Sequence, residues 1–361
     1  MVASGQTSLP SAGNKMDIKT AIKTVVDGQD LTEEQMYAVI NSIMSGEVGP
    51  VLIGSFLTGL RMKGETVEEI SGAVRVMREK ATRVDTGIDM TSGGIVVDTC
   101  GTGGDGASTF NVSTAAAFIV SGCGITVAKH GNRAVSSSCG SADVLEAAGV
   151  NLDITPEQVS DCIKSCGIGF LFAPALHGAM KHAIGPRKEI GIRTIFNFLG
   201  PLTNPSGANV QVVGVFSEAL IEPLASVLGK LGSRRALVVH GDGGLDELTV
   251  TGATSVAEYH DGAVLTYRIV PEDFGLPRAA IEDIRCGRDS AESAAMMKNI
   301  LSGETGARRD MVLLNSGAAL MSAGAADDIG GGIELAAECI DSGAAREKLD
   351  ALIAFSNQVG R

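Results

Sequence analysis

The chain has 361 residues, 44% hydrophobic and 20% charged, with a formal net charge of −13. That length points to two domains, or to one large domain with a smaller lobe, and the composition excludes a disordered chain. The acidic surplus argues against a protein that grips nucleic acid over its whole surface, so an anionic substrate has to be met by local cations, backbone N–H groups or a metal.

Residues 1–15 are small and polar, broken by Pro10 and Gly13, and read as a flexible leader outside the fold. Over residues 16–83 the apolar spacing is helical. Thr32 with Gln35 and Thr66 with Glu69 match capping-box spacing, and Gly49-Pro50 reads as an N-cap followed by the first helical residue. A small bundle of about four helices is expected here. The Gly/Ser/Thr-rich stretch 86–94 then marks a junction.

Beyond it, short apolar runs alternate with longer helical segments. Residues 95–98, 125–128, 168–172, 210–215 and 236–239 read as buried strands, with helices such as 115–120 and 218–231 between them. Residues 255–259 and 263–269 read as a hairpin, and the Ala-rich tail from 291 returns to helical spacing. The fold class expected is α/β: a small N-terminal helical lobe over 16–86, and a larger α/β lobe over 95–361 with a mostly parallel central sheet. The longest apolar stretch, 115–120, is far short of the roughly 20 residues of a membrane span. Seven scattered cysteines without a CxxC pair are expected to be reduced, which suits a cytoplasmic protein.

Four segments concentrate chemistry. In residues 96–118, VVDTCGTGGDGASTFNVSTAAAF, an apolar strand enters a loop with Gly101, Gly103, Gly104 and Gly106 and leaves into a helix. Several N–H groups near a helix N-terminus favour an anion. The spacing is neither a Walker A motif nor GxGxxG, and taken alone the loop is equally compatible with a turn that only connects strand to helix. Asn111, Ser113 and Thr114 stand at the helix start, where such groups either cap the helix or face a ribose, a phosphate or a metal.

Residues 127–143, VAKHGNRAVSSSCGSAD, place Lys129, His130, Asn132 and Arg133 just after a second strand. Two cations at the carboxyl end of a strand suit a phosphate or carboxylate, and Ser136, Ser137, Ser138 and Ser141 add donors. Residues 241–249, GDGGLDELT, hold the adjacent carboxylates Asp246 and Glu247 after a further strand. Such a pair is ordinarily just solvated, but beside two candidate phosphate loops it suits Mg²⁺, which one or two carboxylates commonly hold together with substrate phosphates. Residues 176–205 contain His177, His182, Arg187 and Arg193. The histidine spacing does not put both rings on one helix face as a zinc motif requires, and no GxSxG elbow or Cys-His neighbour supports covalent hydrolysis.

Together these segments resemble the anthranilate phosphoribosyltransferase family, whose signature runs GTGGD, NxST, KHGNRxxSS with GSAD, RTxFNxLGPLxNP and GLDE. The matching residues are 101–105, 111–114, 129–143, 193–205 and 244–247, in that order. The resemblance covers the chain from Met16 onward, with one departure: Gly178 stands where the family usually has proline after His177. It implies transfer of a phosphoribosyl group from phosphoribosyl pyrophosphate to the amine of anthranilate, Mg²⁺ as cofactor with two ions per active site, and a homodimer. It also implies that the segment near 187–198 packs with the helical lobe.

Carried over position by position, the resemblance implies that Gly101, Gly104, Asp105, Thr109, Asn111, Val112, Ser113 and Thr114 hold phosphoribosyl pyrophosphate. Lys129, His130, Gly131, Asn132, Arg133, Ala134, Val135, Ser136, Ser137 and Ser141 complete that set. Ser113, Asp246 and Glu247 are the implied metal ligands, and Gly101, Asn132, His177 and Arg187 the implied anthranilate contacts. Lys129 and His130 are the implied catalytic residues. Two rivals are weighed. A pyrimidine nucleoside phosphorylase shares the architecture, but reads K-x-S-x-R where this chain has KHGNRAVSSS. A silent nucleic-acid-binding homologue sits badly with the acidic charge and the intact metal positions.

Overall fold

The computed structural model describes residues 16–104, 106, 109–134 and 139–360. Four helices come first: α1 (Ile18–Val26), α2 (Glu33–Met44), α3 (Pro50–Lys63) and α4 (Val67–Lys80). Their starts follow the local chemistry. Thr32 and Thr66 form capping boxes with Gln35 and Glu69, and Pro50 occupies the first position of α3, where its missing N–H leaves nothing unsatisfied.

The α/β part continues as β1 (Val96–Gly101), α5 (Val112–Gly122), β2 (Thr126–Gly131), α6 (Ser141–Ala148), α7 (Pro156–Cys166), β3 (Ile168–Phe172), α8 (Ala173–Leu176) and α9 (Lys181–Ile190). There follow β4 (Val210–Gly214), α10 (Ile221–Lys230), β5 (Arg235–Gly241), β6 (Thr254–His260) and β7 (Ala263–Ile269). Four helices close the chain: α11 (Ser290–Leu301), α12 (Ala307–Ser322), α13 (Ile329–Asp341) and α14 (Ala344–Val359). The seven-stranded sheet has the order β3-β2-β1-β4-β5-β6-β7, parallel through β5 and antiparallel beyond it. Asp261 and Gly262, at φ 49° and 82°, make the two-residue turn between β6 and β7.

Because side chains alternate along a strand, the sheet divides two cores. Val97, Val127, Phe170, Val212 and Leu237 face α5 and the C-terminal helices. Cys100, Val213, Ala236 and Val238 face the other way, into a core continuous with α1–α4 and α10. The helical bundle therefore lies on this side of the sheet, with α4 packed on α10, which in turn packs on β5 and β6. Half-buried Arg78 of α4 donates to the carbonyls of Leu202 and Leu231 at 2.8 and 3.2 Å, and Lys230 of α10 pairs with Glu33 and Glu68 at 2.7 Å. Helix α9 packs on α3 and α2, and the ring of His182 fills the space over Gly46.

The strands run further than their apolar cores suggest. The ladder reaches Gly101 opposite Gly214, and Gly131 opposite Phe172, so Lys129 and His130 lie on β2 itself rather than in the loop after it. Polar side chains persist there because the strand's carboxyl end is where the sheet meets the site. Among the described residues no helix is long and apolar enough to cross a membrane.

Candidate active site

Chain order reverses at β1: the chain steps outward to β2 and β3 on one side, then returns to β4 on the other. Such a switch point opens a crevice at the carboxyl ends of the strands, which is where α/β proteins bind ligands. The glycine loop leaves β1 at that point, and three of its residues are each held by a different element. Thr102 donates its N–H to the Gly214 carbonyl at 2.9 Å and accepts at its hydroxyl from the Phe216 N–H at 3.2 Å. Gly103 donates to Asp246 Oδ2 at 2.7 Å. The Gly104 carbonyl accepts from the Arg193 guanidinium. Gly103 and Gly104 have φ of 65° and 71°, left-handed values that a side chain resists.

The acidic pair packs directly onto this loop. A Cβ on Gly101 would stand 2.4 Å from Asp246 Oδ2, and one on Gly214 would stand 1.5 Å from the Asp246 carbonyl, so both strand ends must be bare for the 241–249 loop to close over them. Glu247 Oε1 accepts the N–H of Ser113 at 3.3 Å in the first turn of α5, where the helix dipole favours a negative charge. Asn111 Oδ1 and Thr114 Oγ1 are buried at the same helix end and have no hydrogen-bond partner among the described residues. Buried polar atoms left so are costly, and they are what a ligand at this helix end would engage. Among the described residues no group of three or more His, Cys, Asp or Glu encloses a metal. The all-oxygen set of Asp246, Glu247 and Ser113 fits a hard cation completed by substrate phosphates.

On β2, Lys129 and His130 leave opposite faces of the sheet. Lys129 is 4% exposed, and its ammonium reaches back to donate to the Thr99 carbonyl at 2.6 Å, beside the loop and α5. His130 lies on the side of the helical bundle. Its N–H donates to Asp98 Oδ1 at 3.0 Å, while Asn204 Nδ2 bridges Asp98 Oδ2 and the Ala128 carbonyl, each at 2.8 Å. Burial raises the Asp98 pKa, opposed by Lys129, Asn204 and the His130 N–H. The His130 ring meets that of His177, Nε2 to Nε2, at 3.2 Å. Burial, with His177 and Lys129 adding to it, pushes His130 down to about 3, and burial pushes His177 down to about 4.

Arg133 is committed locally. It pairs with Asp143 at 3.0 Å and Glu146 at 2.8 Å on α6, over the Phe172 ring. Asn132 caps the next turn through its Oδ1 to the Arg133 N–H at 2.7 Å, and its carbonyl accepts from Ser141 Oγ at 3.3 Å. Gly131 ends β2 and Val112 begins α5, while Ala134 donates its N–H to Asp143 at 3.0 Å and Thr109 forms a β-bridge with Arg285. Arg187 sits on α9 with its guanidinium 5.4 Å above the Phe196 ring, and burial lowers its pKa from the usual arginine range. Asp105, Val135, Ser136 and Ser137 lie outside the described residues.

Residues 93–346 match the glycosyl transferase family, a/b domain, and residues 19–81 its helical bundle domain. Anthranilate phosphoribosyltransferase of Desulfotalea psychrophila is 58% identical over 342 residues, covering 95% of this chain and 98% of the relative. The chain belongs to the anthranilate phosphoribosyltransferase family. The crystal structure of the anthranilate phosphoribosyltransferase from Thermus thermophilus superposes with a TM-score of 0.87 at 43% identity, covering 93% of this chain and 99% of that one. The Saccharomyces cerevisiae anthranilate phosphoribosyltransferase in complex with PRPP and Mg superposes at 0.84 with 28% identity, over 94% and 98% of the two chains.

Three residues around this site carry contacts that sequence reasoning left unassigned. Asp98 falls in the expected strand 95–98 and Asn204 in the 193–205 motif, neither with a role of its own, and only the fold shows them joined under His130. Arg193 opens the 193–205 motif with no role assigned to it. Its sole signal was a cation next to a run of buried apolar residues.

Proposed function

We propose that this chain transfers the 5-phosphoribosyl group of phosphoribosyl pyrophosphate to the amine of anthranilate in the crevice at the β1/β4 switch point. The products are N-(5-phosphoribosyl)anthranilate and diphosphate, the second step of tryptophan biosynthesis from chorismate. The observation that carries this reading is the Asp246–Gly103 contact, which joins the acidic pair to the glycine loop beside the N-terminus of α5. Phosphate, metal and loop groups then share one pocket.

In this reading Gly101, Gly104, Thr109, Asn111 to Thr114, Lys129 to Ala134 and Ser141 hold phosphoribosyl pyrophosphate, together with Asp105 and Val135 to Ser137. Arg133, already paired with α6, contributes through its main chain and by fixing the turn. Ser113, Asp246 and Glu247 hold Mg²⁺, two ions per site, and Gly101, Asn132, His177 and Arg187 receive anthranilate. Bound Mg²⁺ neutralises charge growing on the departing diphosphate oxygens. Lys129 adds a fixed positive charge and the loop N–H groups add dipoles, all oriented before the reaction and so needing no reorganisation during it. The anthranilate nitrogen forms a bond to the ribose C1 carbon as the bond from C1 to the diphosphate oxygen breaks, and the proton that this nitrogen then sheds passes to the departing diphosphate or to water. An arylamine has its lone pair available, so no strong base is needed before attack, and the depressed pKa values keep His130 and His177 neutral beside it. Arg187 pairs with the anthranilate carboxylate.

The lobe division proposed is 16–86 with helices near 187–198 against 95–361, the assembly a homodimer and the compartment cytoplasmic. The free thiols of all seven cysteines are in keeping with that compartment. The deciding experiment follows anthranilate fluorescence with phosphoribosyl pyrophosphate, with and without Mg²⁺. Metal-dependent loss of signal is expected, and a steady signal overturns the proposal.

A further inference from the structure

The first two anchors of the glycine loop, the end of β4 and the Asp246 loop, belong to the α/β lobe. The third does not. Arg193 follows α9, the helix that packs on α3 and α2, and its guanidinium donates to the Gly104 carbonyl while lying 4.3 Å from the centroid of the Phe216 ring. Phe216 in turn donates its N–H to Thr102, so guanidinium, ring and loop close a circuit around the loop's outer rim. The backbone on the far side of Arg193 is itself pinned: Thr194 donates to Asn197 Oδ1 at 2.9 Å, and Ile195 and Phe196 are buried. Phe196 is also the ring under Arg187.

We propose that Arg193 is a positioning residue for the diphosphate-binding loop, holding the Gly104 carbonyl from the helical-lobe side through a guanidinium seated on Phe216. This rests on the function proposed above. The physical reason is specific to Gly103–Gly104. Two successive glycines in left-handed conformation have little intrinsic preference for that state, so an unrestrained loop spreads over many conformers and phosphate binding must order it. A carbonyl turned toward an incoming diphosphate repels it, and a charged donor that holds that carbonyl removes the alternative. Arginine is required rather than lysine because only a flat guanidinium both stacks on a ring and donates in its own plane. The same contact ties loop order to the position of the segment that carries Arg187.

The test compares the full-length parent with R193A, R193K and F216L, measuring KM for each substrate, kcat and Tm. For R193A the KM for phosphoribosyl pyrophosphate is expected to rise about tenfold, as loss of one charged hydrogen bond implies, with the anthranilate KM changed less than about twofold. R193K keeps the charge and recovers only part of this, and F216L, which leaves Arg193 in place without its platform, shows the same pattern more weakly. Since Arg193 is exposed, Tm stays near that of the parent. A parent that turns over both substrates while R193A keeps its phosphoribosyl pyrophosphate KM, or while R193K restores it fully, overturns the positioning role. A parent without turnover overturns the function instead.

Discussion

His130 of β2 and His177 after α8 approach through their Nε2 atoms at 3.2 Å, with both rings buried. A hydrogen bond between two such nitrogens requires one to be protonated and the other bare. A second proton would place a positive charge in an enclosed space near the Lys129 ammonium.

That pair makes stability depend on pH. In the unfolded chain each histidine titrates near about 6.5, whereas the folded values are depressed to about 3 and about 4. Below the unfolded value the denatured chain takes up protons that the native pair refuses, so this contribution is complete above about pH 6.5 and is lost progressively toward pH 4. The stability advantage of the parent over H177Q, measured by urea unfolding, is therefore expected to be smaller at about pH 5 than at about pH 7.5. An advantage independent of pH would remove the histidine pair as its source.

Two glycines separate catalysis from folding. In G101A the new methyl meets the end of the Asp246 side chain first, so the protein folds with that carboxylate displaced, while its phosphoribosyl pyrophosphate kcat/KM falls about 100-fold and its Mg²⁺ requirement rises. In G214A the methyl meets Asp246 backbone, which cannot yield cheaply, and about 3 kcal/mol or more of stability is lost. Initial rates against Mg²⁺ for the first and a thermal melt for the second distinguish these outcomes.

For R187A the expected change is in one substrate. A half-buried guanidinium over the Phe196 ring is set to meet a carboxylate, so the anthranilate KM should rise about 10- to 100-fold while that of phosphoribosyl pyrophosphate moves less than about threefold. Equal increases for both substrates would remove Arg187 from the acceptor site.

Asn204 secures a buried carboxylate. In N204A, Asp98 and the Ala128 carbonyl lose their shared donor in a buried site, which should cost about 2 to 3 kcal/mol in urea unfolding. N204D, which sets a second carboxylate against Asp98, should be worse. If N204A unfolds at the parent's urea midpoint, the network contributes nothing to stability.

Local chemistry alone determined much of this protein. Capping boxes at Thr32 and Thr66, Pro50 at the start of α3, the short apolar strand runs and the hairpin of residues 255–259 and 263–269 depend on neighbours within a few residues, so they are legible in one dimension. The same holds for the motifs, because a loop that approaches an anion needs glycine in its own backbone. Only the tertiary structure decided what each motif touches. Gly101 and Gly214 are bare because Asp246, far along the chain, packs against them, and Lys129 lies on a strand because β3 extends the ladder past the apolar run. The Asp98–Asn204 link, the His130–His177 contact and the seat of Arg193 on Phe216 join residues that no sequence spacing relates, since each partner arrives on a different element of the sheet edge.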